Sequence, residues 1–597
     1  MTTLRGGGSS SSFDDETTTI RPRRDERHRT TPPASSVPLP FSMPEDATAA
    51  EDAQTALLAV FAGCRAAHMV QPRGRDGTPP SPSSPPPSSS DDYYDDPIGI
   101  MAKDDASPVT VGDYAAQAAV LHVLNTTTFG TTTSNDDAYI AEEGSDALLG
   151  IMRRQQRQHH SSSSTFSSTH GRKENSVIEN ILHVTKRATA GLLIENGRTT
   201  MTDKLMIPDV RSLLDIIDHR GRDDGDVDGC RKKRRVWCLD PIDGTKGFLR
   251  GRISGGQYCV ALALIEDGMP IIGILGCPNM PTDTCTSSST STPTTTTPST
   301  STSSIPQYGQ WSEDEIMLFD MAEEENRKNE MYDDDDDRSF ALFSSMPKRG
   351  CVFLAVRGYG CYEVSLHELE KLYLGNERKR NSHPSDEKET EESLLWTRLQ
   401  VTTPTPKNND ANAQQPNNVV SDGKFCLGIE RTFSDPDGIV LRMASDIRGP
   451  TALTTTSDLN DNDVDIVDSV RFDGQGKYGL LARGRDAQYF VRLPRSGHVD
   501  WVWDVAAGYV VLTEAGGCVT DVNGKDIDFT NIGNNYGRGE QDNVDEEEEE
   551  QWKRTAAKLP DHLRGIVGSS GGVYHQALLD AYARVQAKMT RQYETNK

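Results

Sequence analysis

The sequence predicts a layered α/β (α+β) fold, cut into islands by long polar inserts. Three observations carry that reading. Short apolar strand-like runs alternate with helical ones across the islands, the order expected where helices pack on sheets. Only 35% of the 597 residues are hydrophobic and 6% aromatic, too few for a chain folded throughout. One strand-like run, Val236-Trp-Cys-Leu-Asp-Pro-Ile-Asp-Gly-Thr-Lys-Gly-Phe248, delivers two acids and then a hydroxyl into a Pro/Gly turn, where a cation site is readily built.

Taken in order, residues 1–44 are rich in Ser, Thr, Pro and Arg and are expected to be disordered. From Pro44 to Val70, the residues Ala56, Leu57, Val60, Phe61 and Cys64 recur at helical spacing, with Ser42 or Asp46 as candidate cap. Residues 72–92 form a Pro/Ser linker, and Asp113 to Leu124 reads as a helix with Ala116, Ala119, Val120 and Val123 along one side. Val236 to Leu239 is a buried strand. Gln257 to Leu264 and Met269 to Leu275 form a hairpin around Glu266-Asp-Gly268, and Val352 to Val356 pairs with Cys361 to Val364 around Arg357-Gly-Tyr-Gly360. Tyr478 to Leu481 reads as helix, Tyr489 to Leu493 as strand, and Val502 to Leu512 as a helix ending near Gly516-Gly517, where a strand starts at Cys518. Val573 to Val585 is a last amphipathic helix.

The inserts are compositional. His159 to Lys173 is Ser/His-rich, Thr282 to Ser304 is almost wholly Ser/Thr/Pro, acid runs occupy Asp333–Asp337 and Glu546–Glu550, and Asn376 to Ser421 is polar. Arg231-Lys-Lys-Arg-Arg235 is expected to be an exposed basic approach to the strand. The domain expectation is an N-terminal α+β unit over 45–375, a disordered insert over 376–421, and a C-terminal α/β unit over 422–590.

A net charge of −27 argues against nucleic acid and anionic membrane as partners, since phosphate backbones recruit basic faces. It leaves room for a small phosphorylated substrate, because a bound cation inverts the local field. The ten cysteines are scattered, with no Cys-x-x-Cys pair, which fits a reducing compartment. No stretch is read as reaching the roughly 20 apolar residues of a membrane span. A cytoplasmic monomer is expected, with a plastid or mitochondrion as the alternative location.

The run Trp237-Cys-Leu-Asp-Pro-Ile-Asp-Gly-Thr-Lys-Gly-Phe-Leu-Arg-Gly251 resembles the signature of the lithium-sensitive, magnesium-dependent phosphatase superfamily of the inositol monophosphatases, and within it the 3'(2'),5'-bisphosphate nucleotidase branch. Lys103-Asp-Asp-Ala-Ser-Pro-Val-Thr-Val-Gly-Asp-Tyr-Ala-Ala-Gln117, Tyr139-Ile-Ala-Glu-Glu-Gly-Ser145, and Trp501-Val-Trp-Asp-Val-Ala-Ala-Gly508 with Glu514-Ala-Gly-Gly517 resemble three further family segments in the right order. The resemblance implies the sugar-phosphatase fold, layered helices and sheets in two subdomains. It implies magnesium held by Glu142, Asp240, Asp243, Asp504 and the Ile242 carbonyl, with Glu143 behind Glu142. It also implies a water oriented by Thr245 and Asp113 for direct attack on phosphorus, without a phospho-enzyme. Read without the resemblance, Asp113 is a helix N-cap, worth about 1 kcal/mol. Five acids converging on one pocket would repel strongly unless cations neutralised them, and the absence of His and Cys from the set argues against zinc.

For the substrate, the amides of Gly244, Thr245 and Lys246 are expected to hold the reacting phosphate. Phe472-Asp-Gly-Gln-Gly-Lys-Tyr-Gly479 and Tyr489-Phe-Val-Arg-Leu-Pro494 resemble nucleotidase segments whose cations contact substrate phosphate, which implies that role for Lys477 and Arg492. Two departures stand out: Gly474 replaces a family serine, and Phe433 stands where the family has a histidine near the adenine. Phe433 suits either a purine stack or the core. The function implied is a phosphatase converting adenosine 3',5'-bisphosphate to AMP. An inositol polyphosphate 1-phosphatase and a non-catalytic phosphonucleotide-binding regulator are the alternatives.

Overall fold

The computed structural model describes residues 38–42, 47–74, 101–102, 108–127, 137–145, 148–150, 169–192, 207–218, 235–282, 311–312, 315–319, 321, 342–380, 396–401, 420–428, 435, 437–455, 464–493, 500–530, 532, 557–560, 563 and 565–595. In chain order the elements are α1 (Ala47–Val70), β1 (Met101–Ala102), β2 (Pro108–Val109), α2 (Val111–Thr127), β3 (Asp137–Ala141), α3 (Thr169–Thr189), α4 (Val210–Asp218), β4 (Arg235–Asp243), α5 (Thr245–Arg250), β5 (Cys259–Glu266), β6 (Met269–Pro281), β7 (Arg349–Val356), β8 (Gly360–Ser365), α6 (Leu366–Arg380) and β9 (Thr397–Leu399). They continue as β10 (Phe425–Leu427), α7 (Ile439–Arg448), β11 (Leu453–Thr455), β12 (Val464–Ile466), β13 (Val470–Arg471), α8 (Gly476–Arg483), β14 (Tyr489–Arg492), α9 (Ala506–Glu514), β15 (Cys518–Asp521), β16 (Ile566–Ser569) and α10 (Gly572–Thr595).

These elements stack in layers. A seven-stranded sheet runs β3-β4-β5-β6-β7-β8-β9, parallel between β3 and β4 and antiparallel elsewhere. Its β5–β6 hairpin closes through Asp267 (φ 48°) and Gly268 (φ 74°), both left-handed as a tight hairpin turn demands. One face carries α1 and α2, whose small residues let the helices touch: a Cβ on Gly63 would lie 2.7 Å from Val120 Cγ2. The other face carries α9, seated so closely that a Cβ on Gly273 would lie 2.4 Å from the Ala507 carbonyl oxygen. Beyond α8 and α9 lies a five-stranded sheet, β13-β10-β14-β16-β15, covered outside by α7 and α10. Asp446 of α7 ties those two helices through Arg584 at 2.6 Å and Lys588 at 3.0 Å.

Several expectations are corrected. Within the span expected to be an unstructured insert at 376–421, α6 runs on to Arg380 and Thr397–Leu399 adds an edge strand to the larger sheet. Val401 then donates its N–H to the Ala515 carbonyl at 2.8 Å, so local polarity is overridden by a free sheet edge. Within the segment expected to be disordered at 1–44, Phe41 packs on Tyr359 and Tyr362 with ring centroids 5.5 and 5.4 Å away. Arg235 is no exposed approach: it bridges Asp52 at 2.7 Å and Asp137 at 2.9 Å. By length and hydropathy α1 could cross a membrane, against the expectation that no stretch qualifies, and 78% of its most apolar window is buried inside the fold. The helix read over Val502–Leu512 is broken at Val505 into a 3₁₀ turn, Val502–Asp504, and α9.

Candidate metal and phosphate site

The site is built at the end of β4. Asp240 sits opposite Ala261 and Asp243 opposite Cys259, so three steps on β4 match two on β5. Such a bulge needs an extra residue that forgoes ladder pairing, and Pro241, without an N–H, is suited to that place. Gly244 then turns the chain at φ 97°, with its Cα packed so that a Cβ would meet the Gln257 carbonyl oxygen and the Gly474 nitrogen, each at 3.2 Å. Thr245 opens α5, and its hydroxyl donates to the Ile242 carbonyl at 3.3 Å.

Asp113 occupies the first turn of α2, though not as its cap. Thr110 is the cap: its Oγ1 accepts from the Gly112 N–H at 3.1 Å. Asp113 Oδ2 closes a reciprocal box, accepting from the Thr110 N–H at 2.8 Å and its hydroxyl at 2.6 Å. Gly112 brings this turn against the end of β4 and α5, since a Cβ there would lie 2.8 Å from Phe248 Cζ and 3.0 Å from Ile242 Cδ1.

Glu142 follows β3, and its N–H donates to the Leu239 carbonyl at 3.2 Å, which extends the parallel pairing one step beside Asp240. Asp504 arrives from the 3₁₀ turn, where its Oδ2 accepts from the Trp501 N–H at 3.2 Å. Carboxylate oxygens of Asp240, Asp243 and Asp504 all lie within 4.8 Å of one another.

Such crowding is costly for bare charges. Burial, then Glu142, Asp243 and Asp504, push the Asp240 carboxyl well above the usual carboxylate range. Burial and Asp504 push Asp243 up to about 7, against the lowering pull of Lys477 and Arg492. Asp240 Oδ1 is buried and makes no hydrogen bond among the described residues. Hard oxygen donors, excess negative charge and an orphaned buried oxygen together fit a divalent cation of the magnesium kind.

The cations stand opposite. Lys477, one residue into α8, lies 5.1 Å over the Phe490 ring. Arg492, at the end of β14, bridges Asp500 at 2.7 Å and Asp504 at 3.3 Å. The structure therefore brings Arg492 to the cluster, but as the partner of two acids. Phe433 and the segment around it lie outside the described residues, so no structural role is assigned to it.

Sequence reasoning missed three residues that organise this geometry. Gln475 is buried and touches both the Asp243 carboxylate and the Asp504 turn; Gln117 of α2 holds the Glu143 peptide; Asp500 holds Arg492. Gln117 and Gln475 stand inside strings already singled out, and Asp500 immediately precedes one. Only the fold shows what their polar groups reach.

Fold and site together define a phosphatase of the metal-assisted kind, with an acidic cluster at a strand end facing basic side chains. Comparison with known proteins agrees: the profile of the inositol monophosphatase family matches residues 198–323 and 438–561. A 3'(2'),5'-bisphosphate nucleotidase of Schizosaccharomyces pombe is 28% identical over 72% of this chain and 78% of its own. One from Emericella nidulans is 26% identical over 72% of this chain and 82% of its own. A solved inositol monophosphatase from Zymomonas mobilis is matched at a TM-score of 0.29 and 11% identity, over 73% of this chain and 95% of that one.

Proposed function

We propose that the protein is a magnesium-dependent, lithium-sensitive phosphatase that hydrolyses the 3'-phosphate of adenosine 3',5'-bisphosphate, giving AMP and phosphate. The observation that carries the reading is the convergence of Asp240, Asp243 and Asp504 within 4.8 Å, beside Glu142 and the Thr245 hydroxyl. The names of the curated relatives support the nucleotide as substrate.

Glu142, Asp240, Asp243, Asp504 and the Ile242 carbonyl would hold the cation, and Asp240 Oδ1 would gain the partner it needs. Magnesium, when bound, supplies positive charge that offsets these acids and polarises phosphoryl oxygens. Thr245 commits its hydroxyl proton to the Ile242 carbonyl, which leaves its lone pairs to accept a hydrogen from the attacking water. Asp113 supports that orientation from the adjoining turn of α2. Water oxygen bonds to phosphorus as the bond to the ribose 3'-oxygen breaks, and the proton passes to the leaving oxygen. The amides of Gly244, Thr245 and Lys246 seat the reacting phosphate, and Lys477 receives the phosphate that is kept.

The test is phosphate release from adenosine 3',5'-bisphosphate and from inositol 1,4-bisphosphate, measured in parallel with and without magnesium and lithium. A magnesium-dependent, lithium-inhibited preference for the nucleotide is expected. Preference for the inositol ester would reassign the substrate. Release from neither, by folded protein with magnesium bound, would replace catalysis by phosphonucleotide binding.

A further inference from the structure

The loop that carries the Gly474 departure sits directly on a metal-site carboxylate. Where the resembled segment has serine, the backbone at Gly474 is left-handed (φ +72°), and a Cβ would lie 2.3 Å from the Asp243 carbonyl oxygen and 2.9 Å from its carbonyl carbon. No L side chain fits such a place without moving the loop or the strand end. Glycine thus lets the loop settle against the Asp243 peptide. From that seat the Gln475 N–H donates to Asp243 Oδ2 at 2.7 Å. The Gln475 side chain, in a residue only 1% exposed, reaches the other way. Its Nε2 donates to the Trp503 carbonyl at 2.6 Å, and its Oε1 accepts from the Gly508 N–H at 2.9 Å. Trp503 is the residue before Asp504, and Gly508 stands in the first turn of α9. One residue therefore spans the two separate sources of carboxylate, the end of β4 and the 3₁₀ turn.

We propose that Gly474 and Gln475 are positioning residues that set the separation of Asp243 and Asp504 for divalent-cation binding, the glycine giving up a side-chain hydroxyl so that the brace can close. The proposal rests on the metal-phosphatase reading above. Its physics is simple. Two mutually repelling carboxylates held this close would splay apart unless fixed; the Gln475 N–H fixes Asp243 by a charge-assisted hydrogen bond, and the carboxamide fixes the backbone on either side of Asp504. Both ends of the carboxamide are satisfied, so the side chain has one rotamer in which to work and transmits position rather than slack.

The test is magnesium titration by calorimetry on the metal-free full chain, comparing the parent with Gln475→Met and Gly474→Ala. Gln475→Met keeps the volume and the backbone N–H but removes the carboxamide. Each variant should bind magnesium about 10–100-fold more weakly, the loss typical when a group supporting a metal ligand is removed. Phosphate release lost at low magnesium should be partly recovered by excess magnesium, which a purely structural defect would not show. Unchanged magnesium affinity in folded Gln475→Met overturns the brace, and that variant decides the matter if Gly474→Ala fails to fold. A parent that binds no magnesium overturns the metal reading and the brace with it; a parent that binds while both variants bind equally well overturns the brace alone.

Discussion

Gln117 holds Glu143 by both sides of its backbone: Gln117 Nε2 donates to the Glu143 carbonyl at 2.6 Å, and Gln117 Oε1 accepts from the Glu143 N–H at 3.1 Å. Gln117 lies one helical turn beyond Asp113 on α2, so a single helix positions an acid of its own and the segment that carries Glu142. The same amide also donates to the Ile217 carbonyl at 3.2 Å, joining α4 to this frame. Gln117→Leu would leave buried peptide groups unpaired and free the Glu142 segment. We expect a loss of about 1–3 kcal/mol in stability and about 10–100-fold in phosphate release. Urea unfolding and steady-state rates check both; an unchanged rate at unchanged stability would refute the positioning role.

The acidic cluster sets the pH response of the metal-free protein. Asp243 rises from its ordinary 3.8 to about 7 in the folded state, and Asp240 also rises, both first through burial. Across that window the folded chain holds protons that the unfolded chain has released. Folding stability is therefore greatest below the ordinary carboxylate pKa and falls as pH rises through the folded values. Without magnesium, the melting temperature should be lower at about pH 8 than at about pH 5 as far as these two groups decide it. Magnesium should raise it more at the higher pH, where the ligands are ionised. Thermal melts at both values, with and without the cation, test this, and a larger magnesium effect at the acid end would contradict it.

Much of this site was legible because its chemistry is local in sequence. Asp240, Asp243, Gly244 and Thr245 lie within one turn, and the alternation of β4 and β5 follows from apolar runs that need no distant information. What escaped reading depends on distant partners. Phe425–Leu427 is three residues long and becomes a strand only between β13 and β14. Strands that short carry no period of their own. Thr397–Leu399 looks polar and is recruited by the edge of β8. The break at Val505 has no helix-breaking residue to announce it; it arises where Asp504 turns back to accept the Trp501 N–H. Arg492 was legible as a cation near the site, but its capture by Asp500 was not, because the two meet only when β14 packs beside the 3₁₀ turn.

Asp240→Asn separates stability from function. The substitution removes one titratable acid from a cluster whose members are held above the usual carboxylate range by burial and by each other, and it leaves size nearly unchanged. In the metal-free state at neutral pH the variant should melt higher than the parent, since folding no longer has to bury a carboxyl that the unfolded chain keeps ionised. Its magnesium-supported phosphate release should fall by at least about 100-fold, beyond the effect of losing an outer supporting group. A variant that melted lower and yet turned over normally would show that Asp240 serves the core.

Asp500→Asn tests whether Arg492 serves the acids or the substrate. Asp500 has a side chain only 1% exposed and takes Arg492 Nε at 2.7 Å, while the Arg492 terminal nitrogen reaches Asp504 at 3.3 Å. These acids hold the guanidinium charged throughout the working pH range, after burial has pulled the other way. Breaking one side of a buried pair typically costs about 3–5 kcal/mol, and neutral Asn still presents a carbonyl oxygen to the guanidinium, so the lower end is expected. If Arg492 chiefly aligns Asp504, the variant should need more magnesium for half-maximal rate while KM for the nucleotide moves little. A raised KM at unchanged magnesium requirement would instead assign Arg492 to the substrate phosphate, with Asp500 holding it there.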